Sequence, residues 1–282
     1  MMTGDGAAAR GFRPLFLLLL PVQAALMAGM GVLVTGPMAD LWPLSVEESI
    51  NRDLAARRSA AASTASAWLS VVASTEGVIA ITAGALIILL ALPRAPLWAD
   101  GLFLSGSVLA QSSIFLLVTL LIDRPRPDVP QLEPSPPTSS FPSGHVGAST
   151  ALFGGLAALA VVRLRGPWGH TAAVAFALVP FAVAASRLYA GMHHPTDVAA
   201  GLLNGGCTLL VMFQALAYPK EPTRMRPLPE ARGRRAGHKS SHPACGDAAE
   251  RASRGAVGFD AWLADRGERE PARRLQGRLP HP

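Results

Sequence analysis

The chain has 282 residues, half of them hydrophobic and only 16% charged, and its mean hydropathy is +0.32; these values favour a polytopic membrane protein over a soluble one. Residues 1–218 hold 11 basic and 11 acidic residues, so the net charge of +6 resides in residues 219–282, with 14 basic and 8 acidic. A high pI confined to one terminal segment, with no basic patch interleaved with aromatics, excludes a nucleic-acid partner and reads as a segment lying near anionic lipid headgroups.

A helix needs roughly 20 apolar residues to cross the hydrocarbon core. Six stretches qualify: 15–36, 68–92, 97–122, 146–165, 169–189 and 196–218. The expected fold class is therefore all-α, a polytopic membrane bundle of six transmembrane helices. It divides into an N-terminal cytoplasmic segment (1–14), the six-helix domain (15–218) and a basic, disordered cytoplasmic tail (219–282). The first stretch is longer than the apolar region of a signal peptide and reads as an uncleaved span. Between the first two spans, Ser45 and Glu48 suggest a capping box opening a short amphipathic helix, read as solvated and interfacial. Arg10, Arg13, Arg94, Arg163, Arg165 and the tail fall on alternate connections. The positive-inside rule places these, and both termini, in the cytoplasm. Cys207 lies in an apolar stretch and Cys245 in the tail, with no Cys/His ligand spacing, so neither a zinc site nor a disulfide is expected.

Three clusters of polar residues sit at span ends: "DRPRPDVP" at 123–130, "FPSGH" at 141–145 and "SRLYAGMHHPTD" at 186–197. Ionisable residues there are functional candidates. His145 and Arg187 are separated by two passes of about 20 residues each, so all three clusters converge on the outer face of the bundle. Arg126 and Arg187 offer planar donor forks suited to phosphate oxygens. Ser143 and Gly144 stand at a helix N-terminus, where N–H groups and the helix dipole attract an anion. Asp197 lies four residues after His193, in reach of its imidazole. Two histidines around a phosphate suggest that His193 attacks phosphorus while His145 acts as acid and then base. Arginines and N–H groups neutralise the developing charge, so no metal or other cofactor is required. Asp123 and Arg124 read as snorkelling residues at a span end or as a local ion pair, and His194 as structural or interfacial. Tyr189 and Trp68 read as interface anchors.

"RPRP", "PSGH" and "SRLYAGMHHPTD" resemble the three signature motifs of the type 2 phosphatidic acid phosphatase (PAP2) superfamily, which also contains bacterial acid phosphatases and vanadium haloperoxidases. The third motif matches in full at Ser186, Arg187, His193 and Asp197, and the second at Pro142 to His145. In the first, Arg126 and Pro127 match, but Thr119 stands at the usual lysine position. Arg124 or the Thr119 hydroxyl is the candidate substitute. The resemblance covers about residues 60–218. It implies a multi-pass phosphatase of the plasma membrane, acting at the outer face on a lipid phosphate or pyrophosphate. His193, His145 and Asp197 would be catalytic; Arg126, Ser143, Gly144 and Arg187 would hold phosphate. A polyprenyl pyrophosphate such as the undecaprenyl carrier, phosphatidic acid and phosphatidylglycerol phosphate are candidate substrates. The alternatives are a lipid-to-lipid phosphotransferase using the same site and a non-enzymatic lipid-binding membrane protein.

Overall fold

The structure, a computed structural model, describes residues 13–91, 98–135, 137–164 and 166–216. The expectations for Arg10, Arg94, Arg165, Cys245 and the basic tail lie outside the described residues, as does most of the N-terminal segment. All described residues are helix or connection, with no strand among them. In order, the helices are α1 (Leu19–Thr35, preceded by a 3-10 turn, Pro14–Leu18), α2 (Glu47–Ala56), α3 (Ala60–Ala73), α4 (Thr75–Ala91), α5 (Trp98–Leu121), α6 (Gly144–Arg163), α7 (Pro167–Tyr189) and α8 (Pro195–Ala215).

Five helical stretches are long and apolar enough to cross a membrane: Pro14–Thr35 and helices α5 to α8. A sixth results if α3 and α4 are taken together, but they meet at a 58° bend. The sequence reading placed one continuous span at 68–92; the structure breaks it at Ser74. The cause is local. Ser74 is extended (ψ 164°) and its hydroxyl accepts the Gly77 N–H at 3.1 Å, so it both ends α3 and N-caps α4. Outside the bundle the helices keep large apolar side chains exposed, among them Leu26, Ile87, Leu120 and Leu210, as lipid-facing helices do.

The connection before α3 also departs from expectation. Helix α2 starts at Glu47, Val46 is its N-cap and no side chain caps it. The Ser45–Glu48 capping box is therefore absent, because Glu48 is used elsewhere: its carboxylate accepts the Asp128 N–H at 3.1 Å. Nor is α2 merely solvated. Glu47 and Asn51 are buried, and Glu47 reaches the functional end of the bundle. Tyr189 is likewise more than an interface anchor: its hydroxyl accepts the Ser59 N–H at 2.8 Å, tying the start of α3 to the end of α7.

Inside the bundle, α1, α5 and α8 are joined by buried amides. Gln23 Nε2 donates to Asn204 Oδ1 (2.7 Å), the Asn204 carbonyl (2.9 Å) and Thr208 Oγ1 (3.0 Å), and Asn204 Nδ2 donates to the Gln111 carbonyl at 3.3 Å. Such bonds contribute roughly 0.6–2 kcal/mol each between membrane helices. Helices α6 and α8 approach until their backbones nearly touch. A methyl group at Gly201 would stand 2.6 Å from the Ser143 carbonyl oxygen, and one at Gly205 2.7 Å from the Gly147 carbonyl oxygen. Gly201→Ala should therefore force the helices apart and cost about 1–3 kcal/mol, read as a lowered thermal unfolding midpoint in detergent.

Candidate active site

The organising residue is Asp197, in the first turn of α8 and fully buried. Its Oδ2 accepts the Ser140 hydroxyl at 2.5 Å and the His194 backbone N–H at 2.8 Å, and its Oδ1 accepts Arg124 Nη1. Arg124 is itself buried and also donates to Glu47 Oε2 at 2.7 Å. The expected Asp123–Arg124 pair is replaced by this Glu47–Arg124–Asp197 bridge, and Arg124 is thereby directed away from any phosphate. His194 fits its structural reading: its ring nitrogens lie 3.3 Å from Asp197 and 3.6 Å from Glu48.

His193 is placed by the turn between α7 and α8. Gly191 adopts φ 71°, a left-handed conformation that glycine enters without strain. The Met192 N–H closes the turn on the Arg187 carbonyl at 3.1 Å. The buried imidazole then hydrogen-bonds through Nδ1 to the Ser140 carbonyl at 2.7 Å, whereas Asp197 Oδ2 stands 3.8 Å away. A carbonyl only accepts, so Nδ1 carries the hydrogen and the Nε2 lone pair is left free. Asp197 therefore reaches His193 as a neighbouring charge and through Ser140, not by a direct hydrogen bond.

Helix α6 begins at Gly144 with Ser143 as N-cap. The Ser143 N–H is not available to an anion, because it donates to the Asp197 carbonyl at 2.9 Å. What Ser143 offers instead is a hydroxyl that is buried without a partner. The N–H groups of the first helical turn, beginning with Gly144, have no intrahelical acceptor. A Cβ at Gly144 would stand 2.8 Å from the Phe115 ring, so glycine lets α6 lie against α5 there. His145 follows, half-buried, in electrostatic reach of Arg187, His193, Glu133 and Arg126. Thr119 lies one helical turn beyond Phe115 on α5, its hydroxyl buried and unpartnered.

Two more arginines complete the cluster. Arg126 donates through Nη1 to the Met192 carbonyl at 2.6 Å, while its Nε is buried without a partner. Burial, with the charge of Arg187, lowers its pKa from the ordinary arginine value, against the opposing influence of Asp197. Arg187, almost completely buried on the last turn of α7, pairs with Glu133. Among the described residues, no three His, Cys, Asp or Glu side chains are grouped to hold a metal ion.

The structure thus brings His145, His193, Asp197, Arg126, Arg187, Ser143, Gly144 and Thr119 to one end of the bundle. Sequence reasoning missed Glu47, Glu133 and Ser140. Glu133 was the legible one, the acid of the proline- and serine-rich stretch 131–143 that follows the first cluster. Ser140 acts on His193 through its backbone carbonyl, which no residue type announces.

The PAP2 superfamily model matches residues 100–221, which span α5 to α8 and all three clusters. That region belongs to the PAP2 superfamily. The fold is similar to that of a transmembrane PAP2-type phosphatidylglycerolphosphate phosphatase from Bacillus subtilis, with a TM-score of 0.54 and 21% identity over 77% of this chain and 100% of that one. Among curated proteins none matches. The long apolar helices, with this likeness to a transmembrane protein, make the chain a multi-pass membrane protein.

In this cluster, burial depresses the proton affinity of His193, outweighing Asp197, so its pKa lies below the ordinary 6.5. Between that lowered value and 6.5 the unfolded chain binds a proton that the folded chain does not, so folding stability falls as pH drops through this window. His193→Gln removes this contribution. The stability of wild type relative to the variant should therefore decrease as pH falls from about 7 to about 5, measured by thermal unfolding in detergent.

Proposed function

We propose that the chain is a membrane phosphatase that hydrolyses a lipid phosphate or pyrophosphate through a phosphohistidine on His193, without a metal. The PAP2 match supports the phosphatase class. The mechanism is carried by one observation: the Nδ1 hydrogen of His193 is held by the Ser140 carbonyl at 2.7 Å, which leaves Nε2 as a nucleophilic lone pair.

In the first step His193 Nε2 bonds to phosphorus and the bond from phosphorus to the lipid-side oxygen breaks. His145 gives its proton to that oxygen. In the second step water attacks the phosphohistidine, His145 takes a proton from it, and orthophosphate leaves as the bond to Nε2 breaks. Arg126, Arg187, the Ser143 hydroxyl and the first N–H groups of α6 hold the phosphoryl oxygens and meet the charge that develops on them. Asp197 keeps the site electrostatically suited to a cationic imidazole.

The site lies on the outer membrane face in this reading, with the termini inside. Arg13 and Arg163 stand at the opposite end of the bundle, where the Arg13 N–H bonds the Ala215 carbonyl at 2.7 Å. On the site's own end, the buried arginines are engaged by carboxylates or carbonyls. The substrate head group enters from outside while its chains stay in lipid. Phosphatidylglycerol phosphate, the substrate class named for the similar Bacillus subtilis protein, is one candidate beside phosphatidic acid and polyprenyl pyrophosphate.

The test is phosphate release from a panel of these lipids by purified protein in detergent. Wild type should release free phosphate from at least one, a chelator should leave the rate unchanged, and His193→Ala should lower kcat by at least about a thousandfold. Wild-type turnover in the variant would refute the phosphohistidine, and transfer to a lipid acceptor without free phosphate would refute hydrolysis.

A further inference from the structure

The three arginines at this end of the bundle differ in how their charge is met. Arg124 lies between Glu47 and Asp197, both buried. Arg126 makes no ion pair among the described residues. Arg187 is intermediate. Its Nη1 donates to Glu133 Oε2 at 3.0 Å and its Nη2 to Glu133 Oε1 at 2.9 Å, a two-pronged pairing of guanidinium with carboxylate. The same two nitrogens could hold two oxygens of a phosphate in the same way.

Glu133 differs from the partners of Arg124 in being able to leave. It sits on the connection between α5 and α6 rather than on a helix, and its side chain is 27% exposed while that of Arg187 is 1%. One further hydrogen bond holds it, from the Ser70 hydroxyl at 2.8 Å. Burial works against its charge, but the hydrogen bonds from Arg187 and Ser70 outweigh burial and keep its carboxyl below the ordinary carboxylate value. It is therefore an anion at neutral pH, seated on a group that the proposed function assigns to phosphate.

We propose that Glu133 is a specificity-determining residue that occupies the phosphate position on Arg187 and is exchanged for the substrate phosphate on binding. This rests on the phosphatase reading above. The exchange discriminates by charge. A phosphodiester carries one negative charge, as Glu133 does, and gains little by displacing it. A terminal phosphate carries close to two charges at neutral pH, so it can satisfy Arg187 and also meet the unpaired Arg126. A membrane enzyme is surrounded by phosphodiester headgroups at high local concentration. Glu133 would keep them out of the site while admitting phosphomonoesters and terminal pyrophosphates.

The experiment uses the full chain in mixed micelles, with inorganic phosphate and phosphatidylglycerol, a phosphodiester lipid, as competitors of hydrolysis. Glu133→Gln keeps the shape and removes the charge. It should tighten inhibition by inorganic phosphate about tenfold and turn phosphatidylglycerol from a poor competitor into an effective one. Glu133→Asp keeps the charge but shortens its reach, and should give a smaller change in the same direction. Unchanged or weaker inhibition in Glu133→Gln overturns the proposal. Wild-type behaviour in Glu133→Asp overturns the contact exchange and leaves only a long-range field effect. If Glu133→Gln does not fold, the aspartate variant alone carries the decision. Direct calorimetric binding of inorganic phosphate separates this proposal from the phosphatase reading. Binding that tightens in the variants, in a chain that hydrolyses no lipid phosphate, supports the exchange and refutes the enzyme. Hydrolysis by wild type with unaltered binding in the variants does the reverse. No binding in any of them overturns the exchange, and phosphate release from the lipid panel alone then decides the enzyme.

Discussion

The functional end of this molecule depends on a single charge balance, that of the buried carboxylate of Asp197. A charge taken out of water costs several kcal/mol unless hydrogen bonds and an opposite charge replace the solvent. Here the replacements come from separate parts of the chain: Arg124 and Ser140 from the α5–α6 connection, and the His194 N–H from the start of α8. Arg124 would still hold free guanidinium N–H groups in a buried place, and Glu47 from α2 accepts from its second terminal nitrogen. The backbone carbonyl of the same aspartate accepts the Ser143 N–H and so fixes the first turn of α6. Neutralising one carboxylate thus positions both histidines, His193 through Ser140 and His145 through Ser143.

Much of this arrangement was legible from the sequence because it depends on residue type. Histidine, arginine and aspartate at span ends are costly, and the two-pass spacing between His145 and Arg187 places them on one side. The structure brings those residues together as the spacing required. The unread parts have physical reasons. His193 is oriented by the main-chain carbonyl of Ser140, which leaves no mark on side-chain identity. The Ser45–Glu48 pattern resembled a capping box, but tertiary partners claimed Glu48 for Asp128 and His194. The break at Ser74 is invisible to hydropathy, since both sides of it are apolar. Its signal was the Ser-Thr-Glu-Gly run, in which a serine three residues before a free N–H can start a helix anew.

Polarity inside the bundle serves two distinct ends. Midway along the helices, the side chains of Gln23, Asn204 and Thr208 bond to one another and to the backbone carbonyls of Gln111 and Asn204, and they join α1, α5 and α8. At the functional end, some groups are left unmatched: the Ser143 and Thr119 hydroxyls and Arg126 Nε have no partner. Buried polar groups without partners are unfavourable for folding. Unpartnered buried atoms also occur elsewhere, Gln23 Oε1 and Thr82 Oγ1 among them, but these three are donors standing together beside two histidines, as a ligand rich in acceptor oxygens requires.

The near-contact of the α6 and α8 backbones has an evolutionary consequence. His145 and the helix carrying Asp197 are joined where any side chain larger than hydrogen at Gly201 would collide with the Ser143 carbonyl. Drift in that seam disturbs both halves of the chemistry at once, so it has little freedom to vary. The α5–α6 connection and α2 border the same chemistry but are not wedged into the seam. New head-group preferences in descendants of this chain would therefore arise in those two segments, at positions other than Glu47, Arg124 and Ser140, with the helical pair inherited unchanged beneath them.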